Sequence, residues 1–190
     1  METGEIAKEH LEQVHEHGHG DSTTRRIAVL IAVIAAGLAI SEMGEKAAQN
    51  AYLTHHIQAS DDWAFFQAKN VRATVQRTAA DVMESLPTAA DPAVRARIDA
   101  ARADAARLRD DPQSGDGSKQ LAANAQEQEH ARDHAFHRYH LFEIVVGALQ
   151  ISIVLASVAV VVRITRLAYV AAGISALAGL LGLGVAAGLV

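Results

Sequence analysis

The sequence predicts an all-α protein: three transmembrane helices, with a long extramembrane antiparallel helical hairpin, coiled-coil-like, between the first two. Three observations predict it. Apolar residues make up 50% of the chain and charged residues 21%, so the two must occupy different stretches. The apolar stretches are Ile27–Ser41, Leu141–Val162 with its single charge Glu143, and Leu167–Val190. Between the first two, from Glu45 to Leu86, neither Gly nor Pro occurs, as an uninterrupted helix requires.

Residues 1–22 form a His-rich acidic tail containing His10, His15, His17 and His19. A peptide alternating His with Glu and Gly chelates transition metals loosely, and an acidic tail also simply solubilises. Residues 23–43 are the first span. A bilayer takes about 20 apolar residues, and Ile27–Ser41 is short, so Thr23, Thr24 and Met43 complete it. The Arg25-Arg26 pair ahead of it also suits a signal sequence. No small-residue cleavage pattern ends the apolar run, however, and the charged leader is long.

Residues 44–140 are the hairpin. An apolar seam at Ile57, Ala64, Val71 and Thr78, interleaved with Ala68, Val75 and Val82, follows the three-and-four spacing of a coiled coil, and only Asp61 interrupts it. Pro87 and Asp91-Pro92 break and restart the helix, with Asp91 as N-cap and Pro92 at the first helical position. The next helix reaches Arg109, Asp110 to Gly117 is a turn-rich linker, and Ser118 caps a last helix that runs on into the second span. At about 1.5 Å per residue, a helix from Glu42 to Leu86 projects on the order of 65 Å.

The second span is 141–162 and the third 167–190, joined by a tight connection holding Arg163 and Arg166. Three crossings put these arginines on the same side as Arg25 and Arg26, and the positive-inside rule makes that side the cytoplasm. The N-terminus is then cytoplasmic and residues 42–140 are periplasmic or extracellular. Small residues repeat every four positions along the spans: Ala28, Ala32, Ala36; Ala148, Ser152, Ala156; Ala171, Ser175, Gly179; Ala178, Gly182, Ala186; and Gly184 with Gly188. Such ladders let membrane helices approach closely. A three-helix bundle has few internal interfaces for so many, so the ladders predict packing between protomers, with Gln150 supplying an interhelical hydrogen bond.

Histidine is over-represented, with 10 in the chain. On a helix, Glu127, His130, His134 and His137 fall within an arc of roughly 80°. That spacing of nitrogens and a carboxylate suits a divalent transition metal or a proton relay. Leu121, Ala125, Ala135, Phe136, Tyr139 and Phe142 centre on another face, so the stripe points away from the apolar side. In an antiparallel hairpin residue 42+n lies level with residue 141−n, which sets His55 and His56 against Gln128 and Glu127. Two readings stay open: a polar, solvated helix face with incidental His and no cofactor, or a divalent-metal shell of His55, His56, Glu127, His130, His134 and His137. Beside His140, Glu143 reads as an interfacial carboxylate able to pass protons. Trp63, Phe65 and Phe66 lie off the apolar seam and need a further packing partner, with Lys69 and Arg72 at helical spacing from the two phenylalanines.

Several classes are excluded. With no Cys there is no disulfide, thiolate metal site or Cys nucleophile. A net charge of −5 argues against nucleic acid as partner. No phosphate loop, Ser-His-Asp set, nucleotide fingerprint or His-Glu-x-x-His motif occurs, so no enzyme and no organic cofactor are expected.

The run Asp61-Asp62-Trp63-Ala64-Phe65-Phe66-Gln67-Ala68-Lys69, between a His-rich tail ahead of a first span and a His-rich approach to a closing pair of spans, resembles a bacterial family of small membrane proteins catalogued as domain of unknown function 4337. The resemblance covers nearly the whole chain and implies a bacterial membrane protein of this topology, which with the arginine placement is expected in the inner membrane. It brings no catalytic residue. Phe65 and Phe66 stand where that family more often has Tyr, which removes any role for a hydroxyl there. Together these readings predict a non-enzymatic, homo-oligomeric helical assembly in the lipid bilayer, a scaffold or pore-like base, with Gly179, Gly182, Gly184 and Gly188 among its packing positions. The alternatives are a metal- or proton-responsive transporter or sensor centred on the His shell, and an accessory subunit of a larger membrane complex.

Overall fold

A computed structural model describes the backbone of residues 2–189 and the side chains of residues 22–189. The chain is all α, with no strand among the described residues. Helix α1 spans Glu2–Glu84, a 3-10 turn covers Pro87–Ala90, α2 spans Pro92–Arg109, α3 Ser118–Val162 and α4 Thr165–Ala186. Three of these, α1, α3 and α4, are long and apolar enough to cross a membrane. Two compact units form: Met1–Ala48 with His137–Val190, and Gln49–Phe136.

The first unit holds the apolar segments, packed in three layers. Ile27 meets Ala156, Ala159, Ala168 and Ala171 in one. The next joins Ile34, Val145, Leu149 and Ala178. In the last, Ala48, Phe142 and Val185 are buried together. Rising numbers on α1 thus meet falling numbers on α3 and rising numbers on α4, so the three run up, down and up. Two close approaches set the spacing. The Phe142 ring lies over Gly44, where an added Cβ would sit 2.8 Å from its Cζ, and Val145 Cγ1 would lie 3.3 Å from a Cβ on Gly182. Arg163 turns the chain between α3 and α4 with φ 54°, a left-handed conformation that normally falls to Gly. Helix α4 starts at Thr165 and stops at Ala186, short of the expected apolar run. Gly188 ends it at φ +70°, with Leu189 N–H donating to the Gly184 carbonyl at 2.9 Å and Gly188 N–H to that of Val185 at 3.2 Å, a Schellman cap.

The second unit is the helical hairpin. Its rising arm is α1 and its returning arm is α2 followed by α3. Along α1 the positions 52, 55, 59, 62, 66, 69, 73, 76, 80 and 83 are buried or half-buried, in steps alternating three and four. This is a heptad seam, and its fully buried members are alanines: Ala59, Ala73 and Ala80. On α3 the matching seam includes Leu121, Ala125 and Ala135, as expected of the apolar face read from the sequence. The predicted α1 seam, Ile57 to Val82, is exposed throughout. Both faces of α1 carry the same periodicity. The alanine face is the one that lets two backbones close together while the polar residues beside it find partners.

The ends of α2 follow the sequence. Asp91 accepts the Ala93 N–H at 2.7 Å and Pro92 opens the helix. Ile98 and Ala101 pack on Ala80, and Arg102 bridges to Glu84 at 2.5 Å and to Asp81 at 3.5 Å. Ser118 does not cap α3: its hydroxyl donates to the Arg109 carbonyl at 3.4 Å. Gly117 precedes the helix instead, accepting the Leu121 N–H at 2.9 Å. Any Cβ there would fall 2.5 Å from the Asp111 nitrogen, so the turn admits only Gly.

Candidate functional site

The described histidines do not converge. His130, His134 and His137 are exposed on α3, as is Glu127, and His56 is exposed on α1. His55 is half-buried, and its Nδ1 lies 2.7 Å from Gln128 Oε1. That contact matches the predicted register, in which residue 55 is level with residue 128. Among the described residues no group of three or more His, Asp or Glu is placed to hold a metal ion. His140 Nδ1 lies 3.1 Å from Glu143 Oε2, one helical turn apart on an exposed face. The tail histidines lie outside the residues whose side chains are described.

The polar side chains of the hairpin instead tie its arms together. Trp63 Nε1 donates to Glu129 at 3.1 Å, and Phe66 meets the indole edge-on at 5.3 Å. Tyr52 packs between His56 and Phe136, at 6.0 and 5.3 Å. Lys69 pairs with Asp116 at 2.7 Å, joining α1 to the turn ahead of α3. The ammonium of Lys69, followed by the Ser114 hydroxyl, holds the Asp116 carboxyl below its ordinary range. Gln120, then Lys119, does the same for Asp110, and Ser114 does so for Asp111. Three carboxylates of one turn are therefore each stabilised in the ionised form by local donors. Of the aromatic triplet, Trp63 and Phe66 are thus engaged and Phe65 is exposed.

The small residues of the apolar segments are buried unevenly, with Ala148 and Ser175 half-buried and Ala186 exposed. Ser152, Ala156, Ala171, Ala178 and Gly182 are buried inside the three-helix bundle, while Ala28, Ala32 and Ala36 are exposed. Gly179 and Gly184 are half-buried, and Gly188 serves the cap of α4 with open space around it. Gln150 is exposed.

The feature left without a role is the predicted seam itself. Its large members Ile57, Val71, Val75 and Val82 are all exposed, in line along α1, and exposed Leu53 and Phe65 lie on its flanks. Asp61 is the one charged member of the row. Sequence reading found this row and misassigned its partner. It missed the alanine seam, whose signal was the heptad recurrence of Ala59, Ala73 and Ala80, hidden by the general abundance of Ala. It also missed Arg138, whose Nε is buried without a hydrogen-bond partner.

The model of one family, described as a domain of unknown function (DUF4337), matches residues 23–189. No curated protein and no solved structure matches the chain.

Proposed function

This chain belongs to the family described as domain of unknown function DUF4337, and we propose that it is a non-enzymatic, multi-pass membrane protein that assembles with copies of itself into a helical scaffold. The observation that carries the reading is the exposed apolar row on α1. Its members recur at coiled-coil spacing, yet α2 and α3 pack on the other face of the same helix. A monomer would leave this row to water, and apolar patches of that extent mark interaction surfaces. Exposed Ala28, Ala32 and Ala36 in the first span, and Gln150 in the second, add support for contacts between protomers within the bilayer.

The membrane is the inner, plasma membrane of a bacterium. Arg25, Arg26, Arg163 and Arg166 favour a cytoplasmic N-terminus, with residues 42–140 outside. Native mass spectrometry of the detergent-solubilised full chain tests the assembly. A discrete oligomer is expected, and a strict monomer across detergents and concentrations sinks the reading.

A further inference from the structure

We infer that the exposed row on α1 is covered by the same row of a second copy, laid parallel and in register. This rests on the self-assembly reading above and adds to it the surface, the direction and the register. Ile57 would then meet Ile57, Val71 meet Val71, and Asp61 meet Asp61.

Four observations point to that occupant. The first is spacing. Thr54, Asp61, Ala68, Val75 and Val82 form one line of the row, and Ile57, Ala64, Val71 and Thr78 the other, and all are exposed. Two lines offset by three and four residues interdigitate with an identical pair from another helix, knobs into holes. The second is area. The row from Thr54 to Val82 is about 40 Å long and one helix, about 10 Å, wide. It therefore offers on the order of 400 Å², about half of the roughly 800 Å² that each partner buries in a stable interface.

The third is charge at the flanks. One flank holds Gln58, Phe65, Arg72 and Ala79, and the other Ser60, Gln67, Thr74 and Asp81, all exposed. In a parallel, in-register pair each residue of the second flank lies across from the residue five further along on the first. That places Ser60 by Phe65, Gln67 by Arg72 and Thr74 by Ala79, with no like-charged pair, while Asp81 faces past the end of α1 and pairs with Arg102 of its own hairpin at 3.5 Å. A strongly acidic or basic partner would find no matching field, whereas a copy of this face is compatible with itself. The fourth is direction. Copies anchored in one membrane by the same first span send α1 out the same way, so the two helices run parallel.

Asp61 is the one cost in this arrangement, because the register brings two carboxylates to one level. A carboxylate there disfavours the pair without preventing it, so its removal reports on register as well as on contact.

The absence of native cysteine makes the test direct. Ile57→Cys and Val71→Cys, each alone in the full chain in nanodiscs, are oxidised with copper phenanthroline. Exposed Arg77→Cys, off the row, is the control. Both row variants should give disulfide-linked dimer at least about fivefold more than the control. Asp61→Asn placed in the Val71→Cys background should raise the linked fraction about threefold at low salt. Helix content by circular dichroism confirms that each variant is folded. If the wild type is oligomeric while the row variants cross-link no better than Arg77→Cys, this inference falls and self-assembly stands, routed through the spans or another face. A monomeric wild type overturns both. Cross-linking on the row with no response to Asp61→Asn overturns the in-register arrangement.

Discussion

Helices α1 and α3 pack against each other in both units, and they do it with different chemistry. In the unit of apolar segments the contact is one of shape: the Phe142 ring fits over Gly44, and Ile34 of α1 packs with Val145 and Leu149 of α3. In the hairpin unit the contact is an alanine seam edged by named polar pairs, His55 with Gln128, Trp63 with Glu129 and Lys69 with Asp116. The difference follows the solvent each suits. Within a bilayer an imperfectly satisfied polar group is costly, so van der Waals fit must specify the partner. At a watery edge polar pairs carry little net energy, yet they fix register, because a slip would leave their half-buried members without partners.

The comparison can be broken most sharply where shape is the determinant. Phe142→Ala should cost about 3–5 kcal/mol by opening a cavity between Ala48 and Val185, read as a large fall in thermal midpoint by circular dichroism in detergent. An equally mild response to Phe142→Ala and to truncation of an exposed span residue such as Leu177 would refute the layer assignment. Next in size is the hairpin seam. Ala73→Leu, at a fully buried position, should lose about 1–3 kcal/mol by overpacking, whereas Ala68→Leu on the exposed row should lose nothing. Equal effects at the two sites would mean that α1 presents the other face to α2 and α3.

Polar ties should respond more weakly. Lys69→Met removes the ion pair with the exposed Asp116 and should cost less than about 1 kcal/mol, least at high salt. Acid should act on the same turn. Asp110, Asp111 and Asp116 are each held below the ordinary value of 3.8. Below that value the unfolded chain takes up protons that the folded turn still refuses, so their contribution is present above about pH 4 and is lost as pH falls through their lowered values. Chemical unfolding of the wild type across that range should show the loss, and Lys69→Met should show less of it. The smallest expected change is a gain. Arg163→Gly relieves a left-handed non-Gly residue and should add up to about 1 kcal/mol, measured by the same thermal unfolding.

The elements were legible because each rests on local chemistry. The apolar runs, the Gly- and Pro-free stretch and the Asp91-Pro92 restart each dictate backbone structure within a turn or two, and α2 begins and ends where they indicate. The hairpin register was legible too, since the tight return of the chain leaves little freedom, and His55 meets Gln128 as counted. The site was much less so. The His130, His134 and His137 stripe shares a helix face, but one face gathers no ligands unless a second element brings its own, and that is a matter of packing.

By itself, then, the sequence determined the helices, their order, the apolar segments and a three-and-four periodicity on α1. Only the tertiary structure decided which of two periodic faces of α1 is packed. Periodicity fixes that a face is continuous, and close approach decides which face wins. Small alanines let the arms come together, and the bulkier Ile57, Val71, Val75 and Val82 are left on the outside, at the spacing a second helix would need.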